Sequence, residues 1–315
     1  MKKFTLYIIL PIVFIFCFLS VKTYYDIQST DISVLKKCHK TKMYDVFLCP
    51  GGKNYTRIDQ ISKHFLNLIV IAEDASFYSH NGFDWHEIRQ SFEANLRALS
   101  YLRGGSTITQ QLVKNVFLSP EKSIQRKFIE AMLAAKIEKK YSKKVILERY
   151  VNVIEFGKNI YGIKKAARHY FNKSPSELNV LESAFLVYLV PSPKKYSGVF
   201  YKKQLTNYSR KRIKTLIRKL KLYKKIPEQE YDVAVSKIDE FPWANTNLFY
   251  QLNDNPDTLL NESEQVLPDA VEEQLQKDIS DEIQSELEAE DDILDREEPD
   301  EEYPDEGELS TDEEN

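Results

Sequence analysis

Apolar and polar positions along this chain recur mainly with helical spacing. The stretch Ile58–His80 predicts a helix that stops at Asn81-Gly82, a common C-terminal punctuation. Asp84 with Glu87 three residues on forms a capping box for a second helix, with an apolar stripe of Ile88, Phe92, Leu96 and Leu99. Arg103-Gly104-Gly105 breaks that pattern. Ser106 or Thr107 can cap a short helix through Val113, and Ser119-Pro120 opens another with proline in the tolerated first turn. Ile124, Phe128, Ala131, Ala135 and Glu138 follow helical spacing, and Ser142 caps KKVILERYVNV. Gly157 and Gly162 punctuate a loop before IKKAARHYF. Asn179 with Glu182 forms another capping box, whose helix ends at Pro191-Ser192-Pro193. Residues 207–223 and 227–238 predict two closing helices, the second opened by Pro227. Few stretches read as strands and no internal repeat is found, so the body is predicted to be mainly α-helical.

The two ends depart from this pattern. Phe4–Val21 is an uncharged apolar run of 18 residues. As a helix it extends roughly 27 Å, enough for a bilayer core, and Pro11 is tolerable within it. Lys2 and Lys3 precede it, which predicts a cytoplasmic N-terminus. No small-residue cleavage site follows, and Phe16 before Cys17 argues against lipid attachment. These flanks support an uncleaved signal-anchor; a cleaved signal peptide is the rival, and either exports the body. Residues 22–50 read as a polar, Lys-rich juxtamembrane connector. From about Asn253 the composition turns to Asp, Glu, Gln, Ser and Pro, a tail that cannot bury enough apolar surface to offset its ordering entropy.

The net charge of −4 conceals an opposition. Residues 254–315 hold 27 acidic and 2 basic residues, a charge of −25, which leaves 42 basic against 21 acidic in residues 1–253, a charge of +21. A basic body suits phosphate-bearing ligands or an anionic membrane surface, or is simply a solvated lysine-rich surface. The tail is either an inert solubilising segment or an electrostatic one that folds onto the basic cleft or docks a basic partner. Of three cysteines, Cys17 lies in the apolar run; Cys38 and Cys49 pair across a short loop or remain free thiols. No CxxC or HExxH spacing appears.

Candidate chemistry concentrates between Ala72 and Glu130. On a continuous helix Glu73, Phe77 and His80 share one face. Phe77 reads most simply as core, His80 as a helix-end residue acting by charge or by capping carbonyls, and Asp74 as a structural hydrogen-bonding group. Gly104 and Gly105 permit close ligand approach. Ser106, Thr107, Thr109, Gln110 and Gln111 then offer donors and acceptors to a hydroxyl-rich or phosphate ligand, or merely cap a turn. Arg126, Lys127 and Glu130 occupy one helical segment. They read either as a surface ion pair or as a diphosphate site in which Glu130 orients Arg126 or holds a divalent ion. A general base, a polar clamp and a cationic patch suit glycosyl transfer from an anionic leaving group.

AEDASFYSHNGFD, GGSTITQQLVKN, RKFIEAMLAAKIE, KKVILERYVNVIEFGKNIYGIKKAA and LNVLESAFLVYLVPSPKKYS follow in that order. Together they resemble the five motifs of the peptidoglycan glycosyltransferase family, glycosyltransferase family 51. The resemblance runs over about residues 65–200. The SxxK, SDN and KTG motifs of a transpeptidase domain are absent from the sequence, so the likeness is to monofunctional transglycosylases rather than bifunctional penicillin-binding proteins.

That resemblance implies a lysozyme-like helical glycosyltransferase domain, placed at residues 51–245; with the hydropathy and composition, the chain then divides into a cytoplasmic 1–3, a single transmembrane helix at 4–21, the connector at 22–50, this domain, and a disordered acidic tail at 246–315. It implies polymerisation of lipid II with inversion and release of undecaprenyl diphosphate, on the outer side of a bacterial cytoplasmic membrane. By motif position Glu73 is the general base and Glu130 the second essential carboxylate. Lys114, Arg126 and Lys127 lie near the diphosphate, and Ser106, Thr107, Gln110 and Gln111 line the cleft. A divalent cation, Mg²⁺ or Mn²⁺, on Glu130 stays an open alternative to Glu130 acting through Arg126; no organic cofactor is implied. The implied partners are lipid II, the nascent glycan strand, the bilayer and other cell-wall synthases, with no nucleic acid. Lys122 stands where some relatives carry Arg, and the tail belongs to no part of the family pattern.

Two other readings share part of this pattern. A lysozyme-like cleavage enzyme would also use two carboxylates but has no need of Lys114, Arg126 and Lys127. A non-catalytic scaffold for lipid II or cell-wall synthases would not need Glu73 and Glu130 intact.

Overall fold

The computed structural model describes residues 21–85, 88–89, 105–121 and 123–243. The expected membrane run (save Val21), Glu87 with the Phe92–Leu99 stripe, Gly104, Lys122 and the acidic tail lie outside them. Among the described residues no helix is long and apolar enough to cross a membrane. The chain divides into two compact units, the first ending at Leu178 and the second starting at Asn179.

The described part of the first unit begins with helix α1 over residues 21–29. A 3₁₀ turn follows at Ile32–Lys36, capped by Asp31. Strands β1 (His39–Lys40) and β2 (Phe47–Leu48) then pair antiparallel, with His39 opposite Leu48. Cys38 and Cys49 are joined by a disulfide beside this pair. The segment expected to be a connector thus carries defined elements. Leu35 and Leu48 are buried, and Tyr141 donates from its hydroxyl to the Ile32 carbonyl at 2.9 Å. Lys136 Nζ donates to the carbonyls of Ile27, Gln28 and Thr30 at 3.0, 3.2 and 3.0 Å. A cation there neutralises the negative end of α1.

The long helix expected over Ile58–His80 is corrected to a 3₁₀ turn, Ile58–Gln60, and helix α2, Lys63–Glu73. Asp74 ends α2 with φ −166° because its carboxylate is committed elsewhere, as described below. Helix α3 spans Ile108–Phe117, longer than the helix through Val113 expected from its glycine-bounded start. The next helix does not open at Ser119-Pro120. It opens at Ser123, whose Oγ accepts from Arg126 N at 3.0 Å, and α4 runs Ile124–Glu138. Helix α5 spans Lys143–Val151 with Ser142 at its N-cap position, though without a side-chain cap bond. The loop expected at Gly157–Gly162 is a tight antiparallel pair, β3 (Glu155–Gly157) and β4 (Ile160–Tyr161), leading into α6, Ile163–Phe171.

Helix α3 packs against both α4 and α5. Phe65, Leu68 and Ile69 of α2, Ile108, Leu112 and Val113 of α3, and Ile146, Leu147 and Tyr150 of α5 are all buried. Each such side chain contributes about 1.5–3 kcal/mol by leaving water.

The second unit starts with the expected capping box. Glu182 N donates to Asn179 Oδ1 at 2.9 Å, and Asn179 N to Glu182 Oε2 at 3.0 Å. It opens α7, Val180–Leu189, which is buried on every side. Two one-turn helices follow, Pro193–Tyr196 and Gly198–Tyr201. Helix α8, Asn207–Leu222, packs Ile213, Ile217 and Leu220 inward, and α9 spans Glu228–Ser236 after Pro227. Those are the two closing helices the pattern predicted.

Candidate active site

Eight of the ten residues of α3 are buried; the two that are not are Gln111 and Lys114. Three positions apart, they share a helix face. Glu73, the last residue of α2, meets that face: Gln111 Nε2 donates to Glu73 Oε2 at 2.8 Å. Gln111 Oε1 accepts from the Tyr150 hydroxyl at 2.9 Å. The amide orientation follows from chemistry. An ionised carboxylate only accepts, so the NH₂ must face Glu73 and the carbonyl must face the phenol. Burial, first, and then the charges of Glu73 and Asp74 push the Tyr150 phenol well above its usual range, so it stays a donor.

A second cluster lies on α4. Glu130 is 2 % exposed and accepts from Lys127 Nζ and, at 3.4 Å, from Arg126 Nη1. A buried carboxylate is tolerable only with such partners. Lys127 Nζ also donates to Ser106 Oγ at 2.6 Å, tying the glycine-led loop to α4. Arg126 Nε is buried and has no hydrogen-bond partner among the described residues. A buried guanidinium N–H left in that state is a donor suited to an anionic ligand.

Lys114 links the two clusters electrostatically. Burial lowers its pKa; Glu130 and Glu73 oppose that shift, while Lys127 and Arg126 add to it. All four groups therefore act on one ammonium. The field around Lys114 holds two carboxylates and two further cations, a set that a group carrying several negative oxygens would complement.

The other expected cleft residues are committed to structure. Thr107 Oγ1 accepts from Gln110 N at 3.2 Å while Gln110 Oε1 accepts from Thr107 N at 3.0 Å, a capping box at the start of α3. Thr107 Oγ1 donates in turn to the Gly82 carbonyl at 3.0 Å. Gly82 has φ +96°, and a Cβ there would meet the backbone of Ala134 and Ala135 at 3.2 Å, so glycine lets this turn sit on α4. Both Thr107 and Gln110 are buried.

The shared helix face expected for Glu73, Phe77 and His80 does not form, because the helix stops at Glu73. Phe77 is core, as expected. Among the described residues His80 caps no carbonyl. Its Nδ1 accepts from Gly82 N at 3.1 Å, which puts the ring proton on Nε2, donated to Asp74 at 2.9 Å. Asp74 Oδ2 also accepts from Ile108 N at 2.9 Å, so the carboxylate just past the end of α2 caps the first turn of α3. The structural hydrogen-bonding role expected of Asp74 is what the geometry shows. Tyr150 was not singled out in the sequence; its one signal was a phenol in a buried stripe, which requires a partner.

Among the described residues no three His, Cys, Asp or Glu side chains gather as a metal site. Both Glu130 oxygens already accept from cations. A divalent ion at Glu130 would have to share its oxygens with Lys127 and Arg126 and take its other ligands from water or a bound diphosphate.

Comparison with known proteins adds an independent line. A family model described as transglycosylase matches residues 46–221. A biosynthetic peptidoglycan transglycosylase of Dechloromonas aromatica is 46% identical over 138 residues, 44% of this chain and 60% of that protein. Another, of Aromatoleum aromaticum, is 45% identical over 142 residues, 45% of this chain and 62% of that protein. A penicillin-binding protein 1A of Clostridium tetani is 34% identical over 215 residues, 66% of this chain and 27% of that protein. The chain thus spans about three-fifths of the length of the first two relatives.

Proposed function

This chain belongs to the transglycosylase family, and on that premise we propose that it is a peptidoglycan glycosyltransferase that polymerises lipid II. Glu73 takes the proton of the 4-hydroxyl on the acceptor sugar. That oxygen bonds to the anomeric carbon of the growing donor strand from the face opposite the diphosphate. The bond from carbon to the diphosphate oxygen breaks, undecaprenyl diphosphate leaves, and the configuration inverts. The alcohol is a poor nucleophile and benefits from a base. The leaving group is already a stable anion, so it calls for cations rather than a strong acid. Lys114, Arg126 and Lys127 supply them, and Glu130 orients the last two. Ser106 and Gln111 border the cleft.

The observation that carries this reading is a hydrogen-bonded Glu73 acting on the same Lys114 ammonium as Glu130, Arg126 and Lys127, with a buried Arg126 Nε–H that has no partner among the described residues. We further read the apolar run 4–21 as a single-pass anchor, N-terminus inside, that holds the catalytic units on the outer side of a bacterial cytoplasmic membrane. The lipid-linked substrate then shares its plane.

Purified full-length protein with lipid II in detergent should yield glycan polymer. Glu73→Gln should lower kcat by about 10²–10⁴-fold, the usual worth of a general base. Retention of full synthesis by that variant, or shortening of finished glycan by the wild type, would overturn the reading. Adding a chelator should leave the rate unchanged if Glu130 works through Arg126 and Lys127; a lost rate restored by Mg²⁺ or Mn²⁺ would return the ion to the mechanism.

A further inference from the structure

We infer that Tyr150 is a positioning residue for the reaction, acting through Gln111 on Glu73. The inference rests on the reading of Glu73 as the base. Tyr150 lies on α5, is fully buried, and does not itself touch Glu73 in any bond described above. A phenylalanine would fill the same apolar space. What the phenol adds among the described residues is one hydrogen bond, and that bond goes to Gln111 Oε1 at 2.9 Å. The far end of the same amide holds Glu73 Oε2 at 2.8 Å. Three elements are thereby joined in one line: α5, α3 and the last residue of α2.

The reason for two links is mechanical. Glu73 sits at a helix end and is only partly buried, and a glutamate side chain there has several rotamers to lose. Gln111 is also partly exposed and equally long. A contact between two such side chains constrains neither well. Tyr150 has two side-chain torsions, both immobilised by complete burial, so its hydroxyl is a fixed point. Anchoring the Gln111 carbonyl to it fixes the amide plane, and the amide then fixes the carboxylate. A base must lie within hydrogen-bond reach of the proton it removes, and small misplacements cost rate steeply.

Tyr150→Phe should lower kcat about tenfold while the KM for lipid II and the thermal midpoint change little. Gln111→Met, which keeps the length and removes both bonds, should lower kcat at least as far. The double variant should be no slower than Gln111→Met alone, because both changes cut one line. Wild-type kcat in Tyr150→Phe, a raised KM with unchanged kcat, or losses that multiply in the double variant would each overturn the inference. If Tyr150→Phe fails to fold, Gln111→Met decides alone: wild-type kcat there removes the relay. Glu73→Gln separates the two levels. A fully active Glu73→Gln means that Glu73 is not the base, whereas an inactive Glu73→Gln beside an unimpaired Tyr150→Phe removes only the relay.

Discussion

Lys114 shows how much a single side chain depends on what surrounds it. In the sequence it is one basic residue among many. In the fold it is one of two α3 residues left partly open, and burial pulls its pKa below the ordinary lysine value of 10.5. The consequences for stability and activity have opposite signs. Between the lowered folded value and 10.5 the unfolded chain binds the proton more tightly, so stability rises with pH across that window. Activity should fall across it, because the cation proposed to face the diphosphate is lost. The alkaline limb of the kcat/KM profile should therefore begin below the ordinary lysine range. Lys114→Arg should move that limb upward, since arginine keeps its charge, although its fork geometry lowers the maximum rate. Identical alkaline limbs in the two proteins would show that another group controls it. At this scale the candidate site was partly legible. Glu73, Glu130 and the cations were visible as a group between Ala72 and Glu130, their separate roles came from motif position in the family resemblance, and a structural role for Asp74 followed from its direction away from Glu73. Tyr150 was hidden because its neighbours in space, Gln111 and Glu73, are 39 and 77 positions away in the chain.

Among the elements, periodicity showed that helices exist but not where they stop. The stretch Ile58–His80 carries helical spacing throughout, yet it breaks at Glu73, where the Asp74 carboxylate is drawn to His80 and to the first N–H of α3. No local rule contains that interaction, because Ile108 is distant in sequence. Capping boxes were more reliable: the Asn179–Glu182 pair depends only on residues three apart. Thr107 caps α3 in the same way, and its further bond to Gly82 came only with tertiary contact. Thr107→Val should cost about 1–2 kcal/mol of stability, measured by urea unfolding. It should leave KM for lipid II nearly unchanged if capping is its whole function; a raised KM at unchanged stability would make it a ligand. Gly162, at φ +81°, would place an added Cβ 2.7 Å from the Asn152 carbonyl oxygen. Gly162→Ala should therefore destabilise by roughly 1–3 kcal/mol, and an unchanged urea midpoint would contradict the crowding.

For the whole molecule, the chain opposes a body of +21 to a tail of −25, and the family match at 46–221 lies wholly within the body. The disulfide between Cys38 and Cys49 closes a short loop beside β1 and β2, next to Leu48 in the core. Reduction should lower stability by about 2–3 kcal/mol on the chain-entropy account, and Cys38→Ser should reproduce the effect of reductant. A reductant effect that persists in Cys38→Ser would place its cause elsewhere. The helical class, the order of the motifs, the apolar run and the acid–base opposition are all properties of neighbouring residues, of local period and of composition, and were readable without coordinates. Helix ends, the fate of each polar side chain in the glycine-led loop and the link from Tyr150 to Glu73 required the fold. They depend on which groups meet across long sequence separations, and a buried polar atom takes its partner from whatever packing brings within about 3 Å.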